Sequence, residues 1–282
     1  MISERGKSMC KRILLRIFVR MLVGLVVITP AAAAFAWEKR EFETVLKALG
    51  SPFETGPARD EAAEVLRSMG TNALPFLRQE LRTYERIEST KASPVTDRKL
   101  QLQAVFEVLG TNAAPLLPEL IEDLHAGRNL GVAPYALARI GGEQAGIALV
   151  NAMTNSNLQI RISGAIAVRY FETNASVAEK AVVALSEILS HDSGVMRATA
   201  ADTLGILERS PAFIVPVLLA AAQKDSDPVV RMVALKSLGR FGTNAIVAKS
   251  AIAEIANSDK DEDVRRLARQ ALQAVSVEGP GH

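Results

Sequence analysis

A single pattern of residues recurs along this chain of 282 residues, and its clearest copy runs Asp227-Pro228-Val229-Val230-Arg231 with Ala234, Leu238 and Gly239 following. Aligned on the arginine, the copies fall at Arg59, Lys99, Leu130, Arg161, Arg197, Arg231 and Arg265, in steps of 40, 31, 31, 36, 34 and 34 residues. A period in this range marks a small unit that cannot bury its apolar faces alone and must stack on its neighbours. Seven such units are predicted. In the clearest one, Val230, Ala234, Leu238 and Phe241 recur at helical spacing and define a single buried face. Asp227 before Pro228 marks a helix start, because aspartate accepts from an orphan N–H and proline at the first position gives up a donor that the helix does not use.

A second signature punctuates the first: Gly70-Thr71-Asn72-Ala73, Gly110-Thr111-Asn112-Ala113 and Gly242-Thr243-Asn244-Ala245, with a partial copy at Thr173-Asn174-Ala175. Glycine suits the left-handed residue just past a helix, and asparagine is expected to cap the next helix through its side chain. Pro75 and Pro115 then fall in a first turn, where a missing N–H does no harm. Each unit therefore reads as helix A, a short turn and helix B. Composition agrees, since 49% of residues are apolar but only 5% aromatic, which favours close-packed helices over a β-sandwich.

With Asp, then Val-Arg, then Ala and Leu-Gly in one register, the pattern resembles the HEAT repeat, most closely the bacterial HEAT-like repeats of the phycobilisome lyase type, over roughly residues 38 to 275. The resemblance implies an all-α, right-handed, armadillo-like α-solenoid of about seven helix pairs. It also implies a ladder of ion pairs between successive units, best fitted here by Asp225, Asp227, Asp259, Asp261 and Asp263 with Arg231 and Arg265. The unit around Leu130 departs from it. The family spans scaffolds, adaptors and a few enzymes, so architecture does not fix function.

The first 36 residues read as an export signal. Six of the 33 basic residues, but only Glu4 of the 31 acidic ones, precede Trp37. Met21 to Ile28 is wholly apolar, and Ala34-Phe35-Ala36 offers the small-x-small pattern of signal peptidase sites. Cleavage after Ala36 is expected, giving a signal peptide at 1–36, a repeat body at 37–275 and a short tail at 276–282. A product in the periplasm or cell envelope follows. The rival reading, a membrane anchor in residues 21–36, has sixteen residues where about twenty are needed to span a bilayer.

Removing that leader leaves 27 basic and 30 acidic residues, a net charge of −3, which is not the footprint that phosphate backbones require. Nucleic acid is therefore not expected as a partner. The one cysteine, Cys10, lies in the leader, so no thiol chemistry is expected of the mature chain. Asp259-Lys260-Asp261-Glu262-Asp263 opens like a calcium loop, but Val264 and Gln270 stand where glycine and glutamate are needed. The di-iron hydroxylases of the HEAT-like class carry His-Glu pairs, whereas His125 is followed by Ala126 and His191 by Asp192. Gly141-Gly142 and Gly146 follow no strand and make no phosphate loop. No catalytic, cofactor or metal residue is assigned, and a phycobilin-lyase-like or other HEAT-like enzyme is the alternative, with a purely structural envelope protein as a third.

The expected activity is binding of a protein or peptide on the concave surface. Counting four to nine residues beyond the arginine column places Tyr135, Arg139, Arg169, Tyr170, Lys236 and Arg240 on it. Aromatic and arginine side chains suit protein recognition, since each combines a large contact area with a polar handle. The polar stretch Glu88 to Asp97 accounts for the 40-residue step and reads as a surface insertion or a binding loop.

Overall fold

The structure, a computed structural model, describes residues 38–90, 95–171 and 175–276. The expected leader at 1–36 and all but the first residue of the expected tail lie outside the described residues. All regular structure among the described residues is helical, in two compact units divided after Gly141. None of the described helices is long and apolar enough to cross a membrane.

The first unit holds three helix pairs: α1 (Lys39–Leu49) with α2 (Pro57–Met69), α3 (Leu74–Thr90) with α4 (Val95–Leu109), and α5 (Leu117–Ala126) with α6 (Ala133–Ile140). The B helices α2, α4 and α6 pack in sequence. Phe42, Leu46, Leu66, Leu77, Leu102 and Phe106 fill the core without exposure, and Phe42 stacks on Phe76 with ring centres 5.7 Å apart. The polar stretch at 88–97 is mostly not a loop, because α3 continues to Thr90 and α4 begins at Val95.

The second unit holds four pairs: α7 (Gly142–Ala152) with α8 (Leu158–Ala167), α9 (Ala175–His191) with α10 (Gly194–Leu207), α11 (Pro211–Lys224) with α12 (Pro228–Arg240), and α13 (Lys249–Ser258) with α14 (Glu262–Ser276). It has two layers. The A helices α7, α9, α11 and α13 touch in order, as do the B helices α8, α10, α12 and α14. One continuous core runs through the unit, built in part from Met196, Leu204, Val230, Leu235, Ile252 and Val264.

Two buried hydroxyls tie the B layer together: Thr203 donates to the Ala165 carbonyl at 3.2 Å and Ser237 to the Ala201 carbonyl at 2.8 Å. The helices come this close because Gly205 faces Ser237, whose Cα would lie 2.9 Å from any Cβ added there. Neither hydroxyl is conspicuous in the sequence. Their only signal is a polar residue six places beyond the arginine column, where Ala167 and Ala271 are the equivalents.

The glycine turns form as expected, with φ of 55° at Gly70, 48° at Gly110 and 51° at Gly242. The asparagines do not cap. Gly70–Ala73, Gly110–Leu116 and Gly242–Ala248 are 3₁₀ turns without a side-chain cap, and the N–H groups of Leu74, Leu117 and Lys249 bond back to Thr71, Ala114 and Ile246 instead. Tightening the connection to three residues per turn satisfies the orphan amides internally and leaves the asparagine side chain no donor to serve. Capping by Asp227 is seen as expected, its carboxylate accepting from the Val229 N–H at 2.8 Å.

Candidate functional site

The arginine column of the second unit is consumed by the scaffold. Arg231 donates through Nε and Nη2 to both carboxylate oxygens of Asp259, each at 2.9 Å, and through Nη1 to the Asp225 carbonyl at 3.0 Å. Arg197 repeats the arrangement one pair earlier, with 2.7 and 2.8 Å bonds to Asp225 and a 2.7 Å bond to the Asp192 carbonyl. Each guanidinium thus closes the end of its own helix A and clamps the next pair's carboxylate, the forked geometry that suits arginine and not lysine. Arg265 closes its own helix A alone, through the Asp259 carbonyl at 2.7 Å. Asp227 and Asp261 cap α12 and α14, and Asp263 holds Arg266 at 2.8 Å, which accounts for the acidic run without a cation.

One rung is weaker. The carboxylate of Asp192 turns back to its neighbour's Ser193 N–H at 2.6 Å and meets Arg161 by a single 3.2 Å bond, leaving the Arg161 Nε buried without an acceptor. An open cleft of about 710 Å³ lies over this rung, lined in part by Arg161, Glu187, His191 and Asp192. His191 is the exposed last residue of α9, and the Asp192 carbonyl just beyond it is capped by Arg197 at 2.7 Å. In the first unit the ladder breaks down. Arg59 reaches Glu107 only at 3.5 Å, and where Leu130 replaces arginine, Arg128 gathers Glu122 and Asp123 at 2.9 Å while buried Asn129 donates to Asp123 at 2.7 Å.

The electrostatics follow the geometry. Burial pushes the carboxyls of Asp225 and Asp259 up, but arginine hydrogen bonds, the N–H groups of Asp227 and Asp261, and the arginine charges outweigh it and hold both below the usual range. Asp192 is also held low, burial again opposed by the Ser193 N–H and by the charge of Arg161. The hydrogen bonds that Arg197 donates to Asp225 raise it above its ordinary value.

With the arginines spent, the outer face of the B layer is one surface that the second unit still offers, beside the A helices, where Ile147, Val183 and Phe213 are exposed. Residues two before and two, five and nine after the arginine position share one helical face. They are Gln159, Ser163, Ile166 and Tyr170 on or just past α8, then Val195, Thr199, Asp202 and Ile206 on α10. On α12 they are Val229, Val233, Lys236 and Arg240, and on α14 Asp263, Leu267, Gln270 and Ala274. None is buried. Apolar side chains stand open among them, Val195 at 59% and Val229 at 50% exposure.

The structure places four of the six expected binding residues in this unit. Tyr170, Lys236 and Arg240 belong to the face itself, and Arg169 lies beside it. Arg169 from the turn after α8 and Arg240 from α12 converge on Asp202 of α10, at 3.3 and 2.8 Å. The sequence does not signal Asp202, which is the missed residue of the site. Tyr135 and Arg139 stand half-buried on α6 of the first unit, in the same register relative to Leu130. Among the described residues no three histidine, cysteine or acidic side chains cluster as a metal site would need.

Residues 182–273, from within α9 into α14, match the family of HEAT repeats. Human deoxyhypusine hydroxylase in complex with glycerol is 19% identical, with a TM-score of 0.38 over 84% of this chain and 96% of that one. Two engineered proteins are each 16% identical over 84% of this chain, one at TM-score 0.41 over 69% of its own length and the other at 0.40 over 96%. No curated protein matches in sequence. Likeness at this level carries no argument about activity.

Proposed function

We propose that this chain is an exported, non-catalytic helical-repeat scaffold that holds a protein or peptide on the outer face of its B helices. The observation that carries the reading is the contrast within the second unit. The most regular side chains, Arg197 and Arg231 with Asp225 and Asp259, are fully engaged inside the stack, whereas the face built from α8, α10, α12 and α14 mixes exposed valines with charge and is left to solvent. An open apolar patch rimmed by polar groups suits protein contact more than chemistry on a small molecule. Export rests on the charged, then apolar, then small-residue order of residues 1–36. The likeness to lyase-type repeats is taken as one of architecture.

A photo-reactive residue placed at 236, on the exposed face, and another at Glu179, exposed on the A helix α9, test this in cells. One discrete adduct from 236, lost on Val229→Asp and absent from 179, supports the scaffold. Equal labelling from both sites would remove the B face from the account, and turnover or stoichiometric metal in the purified protein would remove the non-catalytic part.

A further inference from the structure

Lys236 and Arg240 lie four residues apart on α12, so two like charges share one exposed stretch of helix, an arrangement that destabilises an isolated helix. The compensation on the chain is incomplete. Arg240 takes Asp202 through Nη1 at 2.8 Å, but Arg169 claims the other oxygen of the same carboxylate at 3.3 Å. Lys236 makes no ion pair with a described residue. The remaining carboxylate of the face, Asp263, is held by Arg266 at 2.8 Å. Three cations therefore stand against one carboxylate, Asp202, which pairs with only two of them, and apart from Asp263 the other members of the face are apolar or uncharged.

The two guanidiniums are also fixed in place. Arginine has five N–H donors, and Arg169 is bonded through Nη2 alone and Arg240 through Nη1 alone among the described contacts, so most of their donors are unspent. Asp202 acts as an anchor that orders both planes before any ligand arrives, and less side-chain entropy is then lost when a second carboxylate binds. Val229 and Val233 precede Lys236 on the same face of α12, Ile206 lies on that face of the adjoining α10, and Ile166 on that of α8, the next helix beyond.

We propose that the Lys236–Arg240–Arg169 cluster is a carboxylate-binding subsite, and that its occupant is an acidic peptide segment whose apolar side chains lie on the neighbouring valines and isoleucines. This rests on the B-face reading and names the chemistry of its partner. The apolar surroundings and the acidic balance of the chain beyond residue 36 favour a peptide over a nucleic acid backbone.

Fluorescence anisotropy of the purified chain with three labelled probes tests it: a leucine-glutamate peptide, a leucine-lysine peptide of equal length, and oligothymidylate. The acidic peptide should bind more tightly than the basic one by about tenfold or more, weakening about tenfold on Lys236→Glu while circular dichroism is unchanged. Salt should weaken it as well. A basic peptide that binds equally well and is lost on Val229→Asp would overturn the subsite but leave the B face intact. An acidic peptide indifferent to Lys236→Glu, oligothymidylate binding as tightly, or no binding of any probe would overturn the subsite, while the B face is judged separately by the cross-linking at 236.

Discussion

Replacing Arg231 by alanine should be among the most damaging single changes in the second unit, and its cost can be worked from the contacts. The side chain of Arg231 is 4% exposed and that of its partner Asp259 is 10% exposed. Truncation leaves the Asp259 carboxylate with only the Asp261 N–H at 2.9 Å, and strands the carbonyls of Asp225 and Ser226 at the end of α11. Removing one partner of a buried pair costs about 3–5 kcal/mol, and the surviving N–H puts this case near the lower end, about 3 kcal/mol. Arg161→Ala removes one 3.2 Å contact between side chains 18% and 20% exposed, together with bonds of 2.9 and 3.1 Å to the Asn155 and Ser156 carbonyls. It should cost about 1 kcal/mol. The gap of about 2 kcal/mol is roughly a thirtyfold difference in the folding equilibrium, well resolved by urea unfolding followed by far-ultraviolet circular dichroism. The double variant Arg231→Ala/Asp259→Ala should cost less than the two single changes together, by about 1.5–3 kcal/mol, because neither charge is then stranded. An Arg231→Ala cost no larger than that of Arg161→Ala would refute the clamp as the element that joins successive pairs.

The carboxyls of Asp192, Asp225 and Asp259 sit below their ordinary range in the folded chain. Their contribution is therefore present above about pH 4 and lost as pH falls through the folded values, so urea midpoints should hold between about pH 8 and 5 and drop steeply below about pH 4. Equal midpoints at about pH 7 and pH 3 would contradict the paired geometry. Gly70→Ala should cost only the backbone strain of φ 55°, about 1 kcal/mol, since nothing lies within 4 Å of an added Cβ. Gly205→Ala must instead push α12 away at Ser237 and should cost about 2–3 kcal/mol in the same assay, with equal costs refuting the close approach of the two helices. Mass spectrometry of the chain from the producing cell should read Trp37 at the N-terminus, and an intact Met1 would sink the cleavage.

The helix pairs were legible because period and register survive in single letters: Val230, Ala234 and Leu238 of α12 and Phe241 just past its end are all buried, as their spacing requires. Asp227-Pro228 was legible for the same reason, a local signal with a local consequence. What depends on the next pair was harder. Arg231 and Asp259 lie 28 residues apart, so nothing local distinguishes a rung that closes, as here, from one that half closes, as at Arg161. Ser237 and Thr203 look like ordinary helix residues, and only the neighbouring helix's carbonyl makes them structural. The asparagine caps failed because a 3₁₀ turn leaves the backbone to satisfy itself, an outcome that residue type alone does not reveal. Of the proposed face, the register and the positions of Lys236 and Arg240 were legible, but Asp202, which holds Arg169 and Arg240, was not.

Hydrogen exchange on the complex recovered through residue 236 tests the central claim most directly, because it reads every helix of the second unit at once. A partner held on the B face should slow exchange in α8, α10 and α12 and leave the A helices α9, α11 and α13 at their unbound rates. Protection centred on the A helices, or none in α10 and α12, would contradict it.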